Sequence, residues 1–311
     1  MNLPDSRKAD LLMVVVTLLA AISWMFSKEA VLLMPPLLFM ALRFLIAGSI
    51  LIAAGQHQIR RLTADQFRRA IGVGLVFGVA MSCWITGLFL TEHVGEGAFL
   101  TSLGVVIVPL IARIAFKEAQ PISTWLALPI AITGLALLSL RNGFRPEPGQ
   151  LFFVIAACIF ALYFTLNTRA ANTRVAQRRD GSETRKERVP ALALTAIALT
   201  TVGLVTLTLS AIREPWSPTF MDVQPMLWVW VLASATIGTA GRFFVQTYAQ
   251  SLSIHSHGVV ILVLEPVWVA IFAAGWFGES MSGVQLGGCS LIFAALLINR
   301  WSAVRKLILR R

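Results

Sequence analysis

The stretch GVVILVLEPVWVAIFAAGWFGE, Gly258–Glu279, is apolar throughout except for Glu265, which stands just before Pro266, and the closing Glu279. A run of about 20 apolar residues is long enough to cross a bilayer as a helix. A carboxylate in the middle of such a run is costly to bury and usually marks a functional site. The stretch therefore predicts a membrane-spanning protein with Glu265 as the first candidate site residue.

An earlier part of the chain carries a second version of this stretch. When Thr86–Glu118 is laid over Thr247–Glu279 without gaps, at a constant difference of 161 positions (279 minus 118), eight positions are identical. They are Thr86/Thr247, Gly97/Gly258, Leu103/Leu264, Val106/Val267, Val108/Val269, Ala112/Ala273, Phe116/Phe277 and Glu118/Glu279. The match indicates an internal repeat of the kind that builds transporters. Because the first copy has Gly104-Val105 in place of Glu265-Pro266, the role of Glu265 is performed once per chain.

The composition excludes a soluble protein. The 311 residues are 57% hydrophobic and 13% charged, whereas ordinary globular domains are about 25% charged. The net charge of +11 is explained by loop topology, so no nucleic-acid partner is predicted. Cys83, Cys158 and Cys289 lie in apolar segments without metal-ligand spacing, so neither a metal nor a cofactor is expected.

The distribution of positive charge predicts the orientation in the membrane. Ten apolar spans lie near residues 10–27, 37–55, 70–90, 97–116, 121–140, 150–168, 190–212, 226–249, 256–278 and 282–300. If the N-terminus is cytoplasmic, 19 of the 26 Lys and Arg residues fall on the cytoplasmic side and 4 on the other. The remaining three, Arg43, Arg113 and Arg242, lie within spans. Since cytoplasmic loops carry the excess of positive charge, both termini are predicted to be cytoplasmic.

Five spans per half is an odd number, so the second half enters the membrane upside down relative to the first. The sequence thus predicts an all-α membrane protein whose ten transmembrane helices form two inverted five-helix repeats, at 1–145 and 146–311. The polar, basic segment 169–190 is expected to be a mobile cytoplasmic linker. In carriers of this construction the substrate site lies near the midplane between the halves.

Four segments resemble a known family. They are PPLLFMALRF, with Pro35-Pro36 and Arg43, AFLTSLGVVIVPLIARIAFKE at 98–118, Ala161-Leu162-Tyr163, and LEPVWVAIFAAGWFGE at 264–279. The chain resembles the EamA-type ten-helix carriers of the drug/metabolite transporter superfamily. The resemblance implies a secondary carrier, and many such carriers export amino acids and other metabolites. The 9 Trp and 19 Phe residues favour the aromatic amino acid exporters among them.

Glu265 allows three interpretations. It could bind a proton or a substrate amine, it could form an ion pair, or it could stay neutral and donate a hydrogen bond. Arg242 lies within about one helical turn of it in depth, so a structural ion pair and a direct transport role are both retained. Pro266 lacks a backbone N–H, which favours a helix broken at this depth.

Aromatic and amide side chains define a predicted substrate cavity. Trp24 and Tyr163 occupy matching positions in the first span of each half. Rings at matched depth would stack on a flat apolar substrate, and the alternative is an aromatic belt at the membrane surface. The predicted cavity residues are Trp24, Trp84, Tyr163, Asn167, Gln246, Tyr248, Glu265 and Trp268.

Other polar residues receive more ordinary interpretations. Arg43 caps neighbouring carbonyls or contacts the substrate, and Arg113 extends towards the membrane surface. Glu118 and Glu279 are expected to cap the segments that follow them. The loop residues Glu92, His93, Glu96, His255 and His257 are solvated or form a proton relay, and they lack the ligand set of a metal site.

We therefore expect a multi-pass carrier of the bacterial inner (cytoplasmic) membrane. It would export small metabolites, most readily aromatic or large apolar amino acids, by alternating access through a midplane cavity. A drug or cation exporter of the same fold is the alternative, and an integral-membrane enzyme or scaffold is the alternative of another class. No ATP-binding or hydrolase motif is present. The expected partners are a small-molecule substrate and the lipid bilayer, and the expected oligomeric state is a monomer or weak homodimer.

Overall fold

The computed structural model describes residues 5–92, 94–117, 122–139, 147–177, 183–217, 219, 225–252, 261–262, 264–280 and 282–299. A helix lies over each of the ten predicted spans. The helices are α1 (Asp5–Val31), α2 (Pro36–Arg60), α3 (Ala64–Leu90), α4 (Val94–Phe116), α5 (Ile122–Ser139), α6 (Pro148–Ala171), α7 (Ala191–Arg213), α8 (Pro225–Ala235), α9 (Arg242–Ser251), α10 (Leu264–Phe277) and α11 (Gly283–Asn299).

Seven helices in the described part of the chain are long and apolar enough to cross a membrane. They are α1 to α4, α6, α7 and the continuous helix Pro225–Ser251, in which a π-helical segment, Thr236–Gly241, joins α8 to α9. Shorter apolar helices lie at Trp125–Gly134 in α5, at α10 and at Leu286–Ala295 in α11. The chain is therefore a multi-pass helical membrane protein.

Local signals explain where the helices begin. Proline occupies the first position of α2, where its missing N–H costs no helical hydrogen bond. A capping box formed by Thr63 and Gln66 starts α3 at Ala64, six residues before the predicted span. The first turns of α3 carry Asp65 and Arg69, which form an ion pair, so this end of the helix extends beyond the apolar region.

The segment between the halves departs from the predicted loop. Helix α6 continues through Arg169 to Ala171, and a two-stranded antiparallel hairpin follows, with β1 (Arg174–Gln177) paired to β2 (Glu183–Lys186). Within this all-α fold, the linker that was predicted as a loop thus contains a short hairpin.

Close helix packing depends on small residues. Helix α2 packs along α7, and α3 packs on both α6 and α7. A Cβ added to Gly74 of α3 would lie 2.6 Å from the Cβ of Thr201 and 2.9 Å from the carbonyl oxygen of Ala198. Glycine at this position thus permits the approach of α3 to α7, as small residues do in membrane helix pairs.

Candidate functional site

A cavity of about 60 Å³ lies inside the bundle, between α1, α2, α3, α4, α6, α9 and α10. Its charged residues are Arg43, Arg242 and Glu265, and its hydroxyl groups come from Ser23, Thr101, Ser102 and Tyr163. The rest of the lining is mostly aromatic: Trp24, Phe77, Trp84, Phe160, Phe164 and Phe243. Four of the eight predicted cavity residues, Trp24, Trp84, Tyr163 and Glu265, therefore lie together at this cavity.

The carboxylate of Glu265 is held by two donors. Its Oε1 accepts a hydrogen bond of 2.8 Å from Nε1 of Trp24, and its Oε2 lies 3.1 Å from a terminal guanidinium nitrogen of Arg242. The side chains of Arg242 and Glu265 are 13% and 16% exposed, so the pair is largely removed from solvent. Because both residues also line the cavity, the ion pair and the direct transport role are compatible.

The backbone places Glu265 at a helix start. Helix α10 begins at Leu264, and Ile261 and Leu262 form a 3₁₀ turn earlier in the chain. Pro266 falls in the first turn, where a missing N–H leaves no helical bond unmade. The positive end of the helix dipole also stabilises a carboxylate at this position.

Arg43 is buried among hydroxyl groups. The residue is 1% exposed, and its guanidinium donates to the Oγ atoms of Ser23 and Ser27, to Oγ1 of Thr239 and to the carbonyl oxygen of Gly238. Among the described residues, no carboxylate lies within ion-pair distance of it. The predicted carbonyl-capping role is present at Gly238, and the residue also reaches the cavity wall.

The π-helical segment helps to build this arrangement. Oγ1 of Thr239 donates to the carbonyl oxygen of Ser234, five residues earlier, at 2.8 Å. Oγ1 of Thr239 also accepts a hydrogen bond from the guanidinium of Arg43. Thr239 thus connects the π-helical turn both to α2 and to the preceding turn of the same helix. Single π-helical turns are frequent at functional sites.

Aromatic side chains of the cavity wall contact one another. Trp24 and Trp84 meet edge to face with ring centroids 4.7 Å apart. Phe77 stacks on Tyr163 at 4.0 Å, and it meets Phe243 edge to face at 4.9 Å. The two edge-to-face contacts have the geometry that aromatic pairs prefer.

The other four predicted cavity residues are not part of this lining. Asn167 is buried and donates to Gln250 and Thr247 between α6 and α9. Gln246 is fully buried in α9. The hydroxyl of Tyr248 accepts from Lys8 at 3.1 Å, which ties α9 to the start of α1. Trp268 is half-buried in α10 with its indole nitrogen unpaired among the described residues.

The remaining predicted polar residues have mixed outcomes. Arg113 is exposed near the end of α4, in keeping with an extension to the membrane surface. The carboxylate of Glu279 caps the N-terminus of α4, accepting from the amides of Val94 and Gly95 at 2.9 and 3.1 Å. The predictions for His93, Glu118, His255 and His257 lie outside the described residues.

Two features escape the sequence. Glu214, at the end of α7, accepts from the amides of Leu37 and Leu38 at 2.8 and 2.9 Å and so caps α2. The hydroxyl groups around Arg43 are the second feature, and the one local signal for them is the pair Ser23 and Ser27, one helical turn apart in an apolar span. Within the described residues, no group of His, Cys, Asp or Glu side chains could hold a metal ion.

Comparison with known proteins gives a consistent result. A family model described as "EamA-like transporter family" matches residues 7–140 and 147–301. Two proteins of Archaeoglobus fulgidus, each described as "Uncharacterized transporter", are similar to the chain. One is 23% identical over 231 residues, which are 74% of this chain and 76% of the relative. The other is 22% identical over 290 residues, which are 93% and 85% of the two chains.

The fold also has a counterpart among solved structures. A structure described as "Crystal structure of protein" superposes with a TM-score of 0.64 at 22% sequence identity. The match covers 94% of this chain and 98% of that one. At this level of identity the likeness concerns the fold alone.

Proposed function

Since the chain belongs to the EamA-like transporter family, whose model matches nearly its whole length, we propose that it is a secondary carrier that exports amino acids. The chain is a multi-pass membrane protein of a transporter family, and the proposal adds the cargo, the direction and the mechanism. The cargo is an aromatic or large apolar amino acid. The membrane is the bacterial inner membrane, and the mechanism is alternating access, with the protein acting as a monomer or weak homodimer.

The proposal rests on three charged side chains, those of Glu265, Arg242 and Arg43, that line a largely aromatic cavity. A free amino acid presents an ammonium group, a carboxylate and a side chain. Glu265 offers a carboxylate for the ammonium group, and the guanidinium groups of Arg242 and Arg43 offer partners for the carboxylate. The rings of Trp24 and Trp84 supply a surface on which a flat apolar side chain can stack.

The charges of the cavity favour this cargo over an organic cation. The lining holds two guanidinium groups, of Arg43 and Arg242, and one carboxylate, of Glu265. A cationic drug would face an excess of like charge, whereas a zwitterion finds partners for both of its charged groups. The drug exporter therefore remains the second candidate.

The packing supports two inverted repeats with ten spans. If α1 to α5 correspond to α6, α7, α8–α9, α10 and α11, the observed contact of α3 with α6 corresponds to that of α8–α9 with α1. The contact of α4 with α6 likewise corresponds to that of α10 with α1. The contacts α2–α7, α4–α10 and α5–α11 each join a helix to its own counterpart in the other half, so the exchange of the halves leaves them unchanged. This is the pattern expected of a pseudo-two-fold axis in the membrane plane. The excess of Lys and Arg on one side favours cytoplasmic termini.

Counterflow in proteoliposomes tests the proposal. Liposomes loaded with one unlabelled amino acid should take up the same labelled amino acid, and aromatic and large apolar amino acids should give the strongest signal. An imposed pH gradient will accelerate uptake if proton movement is coupled to transport. Silence across the amino acid panel together with uptake of organic cations would overturn the proposed cargo in favour of the second candidate. Flux of either kind in pure liposomes also excludes an enzyme or a scaffold without transport activity.

A further inference from the structure

A cluster of buried polar side chains lies beside the cavity, between α6 and α9. Gln246 and Gln250 of α9 are 0% and 3% exposed, and Asn167 and Thr168 of α6 are each 1% exposed. We call these four residues the amide cluster. In packed membrane helices such amide and hydroxyl side chains normally hydrogen-bond across the interface.

Several atoms of the amide cluster have no partner among the described residues. They are both amide atoms of Gln246, Nε2 of Gln250 and Oγ1 of Thr168. Buried polar groups are normally hydrogen-bonded, and an unpaired buried amide is destabilising. The cluster is therefore poorly matched to the closed packing seen here, and it is better matched to contact with water or a polar ligand.

The cluster extends from the cavity towards one end of the bundle. Arg242, Gln246 and Gln250 are spaced by four residues, so they follow one face of α9 over about 12 Å at 1.5 Å per residue. Arg242 lines the cavity. At the other end, the backbone oxygen of Gln250 accepts from the side chain of Asn172, which directly follows α6 and precedes the β1–β2 hairpin. This end of the bundle is called the linker face.

We propose that the amide cluster is the wall of the substrate path between the cavity and the linker face, closed in this conformation and hydrated in the alternate one. The proposal rests on the proposed carrier function and adds the path that the cargo follows. The amides would replace water around the ammonium and carboxylate groups of a passing zwitterion. The path also explains why Asn167 and Gln246 have polar side chains although they lie outside the cavity.

The contacts that close the path are suited to repeated opening. Asn167 bridges α6 to α9 through neutral hydrogen bonds to Thr247 and Gln250. Neutral hydrogen bonds exchange with water at little net change in free energy, whereas a buried ion pair is costly to separate. Movement of α9 away from α6 would break these bonds and expose the unpaired atoms of Gln246.

Cysteine accessibility tests the path without a transported substrate. In a background with Cys83, Cys158 and Cys289 replaced by alanine, Gln246→Cys is exposed in proteoliposomes to methanethiosulfonate ethylammonium, a small hydrophilic thiol reagent. The matched control is Thr195→Cys in α7, because Thr195 is 2% exposed and its hydroxyl is paired with the carbonyl oxygen of Ala191. We expect Gln246→Cys to react roughly tenfold faster or more, through an open state populated at about 0.1–10%. Equal resistance of the two folded variants would overturn the path.

An apolar replacement supplies a second readout. Gln246→Leu removes the unpaired amide at similar volume, so we expect unchanged or raised thermal stability together with counterflow reduced about tenfold. Raised stability with full counterflow would show that the cluster is ordinary packing and would overturn the path. A reactive Gln246→Cys in a protein that moves no amino acid would support the path and count against the proposed cargo, so the two failures are distinguishable.

Discussion

At the scale of single residues, the site depends on one carboxylate that serves two donors. Trp24 binds one oxygen of Glu265, and Arg242 binds the other. An ionised carboxylate has about four acceptor positions, so it can accept a further donor beside Trp24 and Arg242. Under the proposed function, a substrate amine that binds Glu265 would compete with contacts of α1 and α9, the helices that supply these two donors.

Glu265→Gln should abolish or uncouple transport. The amide cannot neutralise Arg242, and its NH₂ group faces a donor, so we also expect a loss of about 1–3 kcal/mol in stability. Counterflow and thermal unfolding in detergent measure the two effects. The matched control is Glu187→Gln, the same change at an exposed residue after the hairpin. Normal flux with unchanged pH dependence in Glu265→Gln would argue against this role. If an added Arg242→Met restores folding but not transport, the ion pair contributes to stability and Glu265 has a separate role in transport.

Trp24→Phe should lower the stability of the protein while keeping a ring against Trp84. The variant loses the 2.8 Å hydrogen bond to the carboxylate of Glu265. Hydrogen bonds to charged groups contribute about 1.5–3 kcal/mol, so thermal unfolding in detergent should show a loss of about that size. Trp84→Phe, at the same cavity, is the comparison and should have the smaller effect. Equal effects would show that ring size matters and the hydrogen bond does not.

The sequence predicted part of this site. Arg242 and Glu265 lie at similar depth in spans where partners for a charge are few, so the sequence indicates an ion pair as one of the roles of Glu265. The hydroxyl groups around Arg43 were not predictable, since Thr239 lies 196 positions away and belongs to an irregular turn. A serine or threonine in a span does not reveal whether it binds another helix, because its hydroxyl commonly bonds to a carbonyl of its own helix.

At the scale of elements, helix contacts depend on positions where no side chain fits. Gly74→Ala should destabilise the protein by about 1–3 kcal/mol, because the added Cβ meets the backbone and side chains of α7. The control is Gly72→Ala in the same helix, where an added Cβ meets nothing within 4 Å. That change should be neutral or stabilising by up to about 1 kcal/mol. Thermal unfolding of the two variants in one detergent compares them, and equal melting temperatures would contradict the close packing of α3 on α7.

Element positions were largely predictable, and the contacts between their ends were not. Apolar runs locate the helices because a bilayer leaves the backbone no other partner than its own helix. The glutamates that cap α2 and α4 come from other helices, 177 and 185 positions away for Leu37 and Val94. Such caps are set by tertiary packing, so neither Glu214 nor Glu279 carries a local signal of its target.

At the scale of the whole molecule, a topology with seven membrane spans and one with ten place the linker on different sides of the membrane. Helix α5 precedes the linker, and its described apolar part, Trp125–Gly134, is too short to identify it as a span by length alone. If α5 crosses, α6 is the sixth crossing and the linker lies on the side of the N-terminus. If α5 does not cross, α6 is the fifth crossing and the linker lies on the opposite side.

We expect the linker and the N-terminus to share the cytoplasmic side. Glu187→Cys, in the cysteine-free background, should resist a membrane-impermeant thiol reagent in intact cells and react once the membrane is opened. The matched control is Glu92→Cys, in the turn between α3 and α4, which should react in intact cells. Helix α5 packs against α11 and α4, and six Lys and Arg residues lie between α6 and α7, so both the packing and the charge bias favour this result. Reaction of Glu187→Cys in intact cells would remove α5 from the spans, and with it the inverted relation between the halves on which the proposed midplane cavity depends.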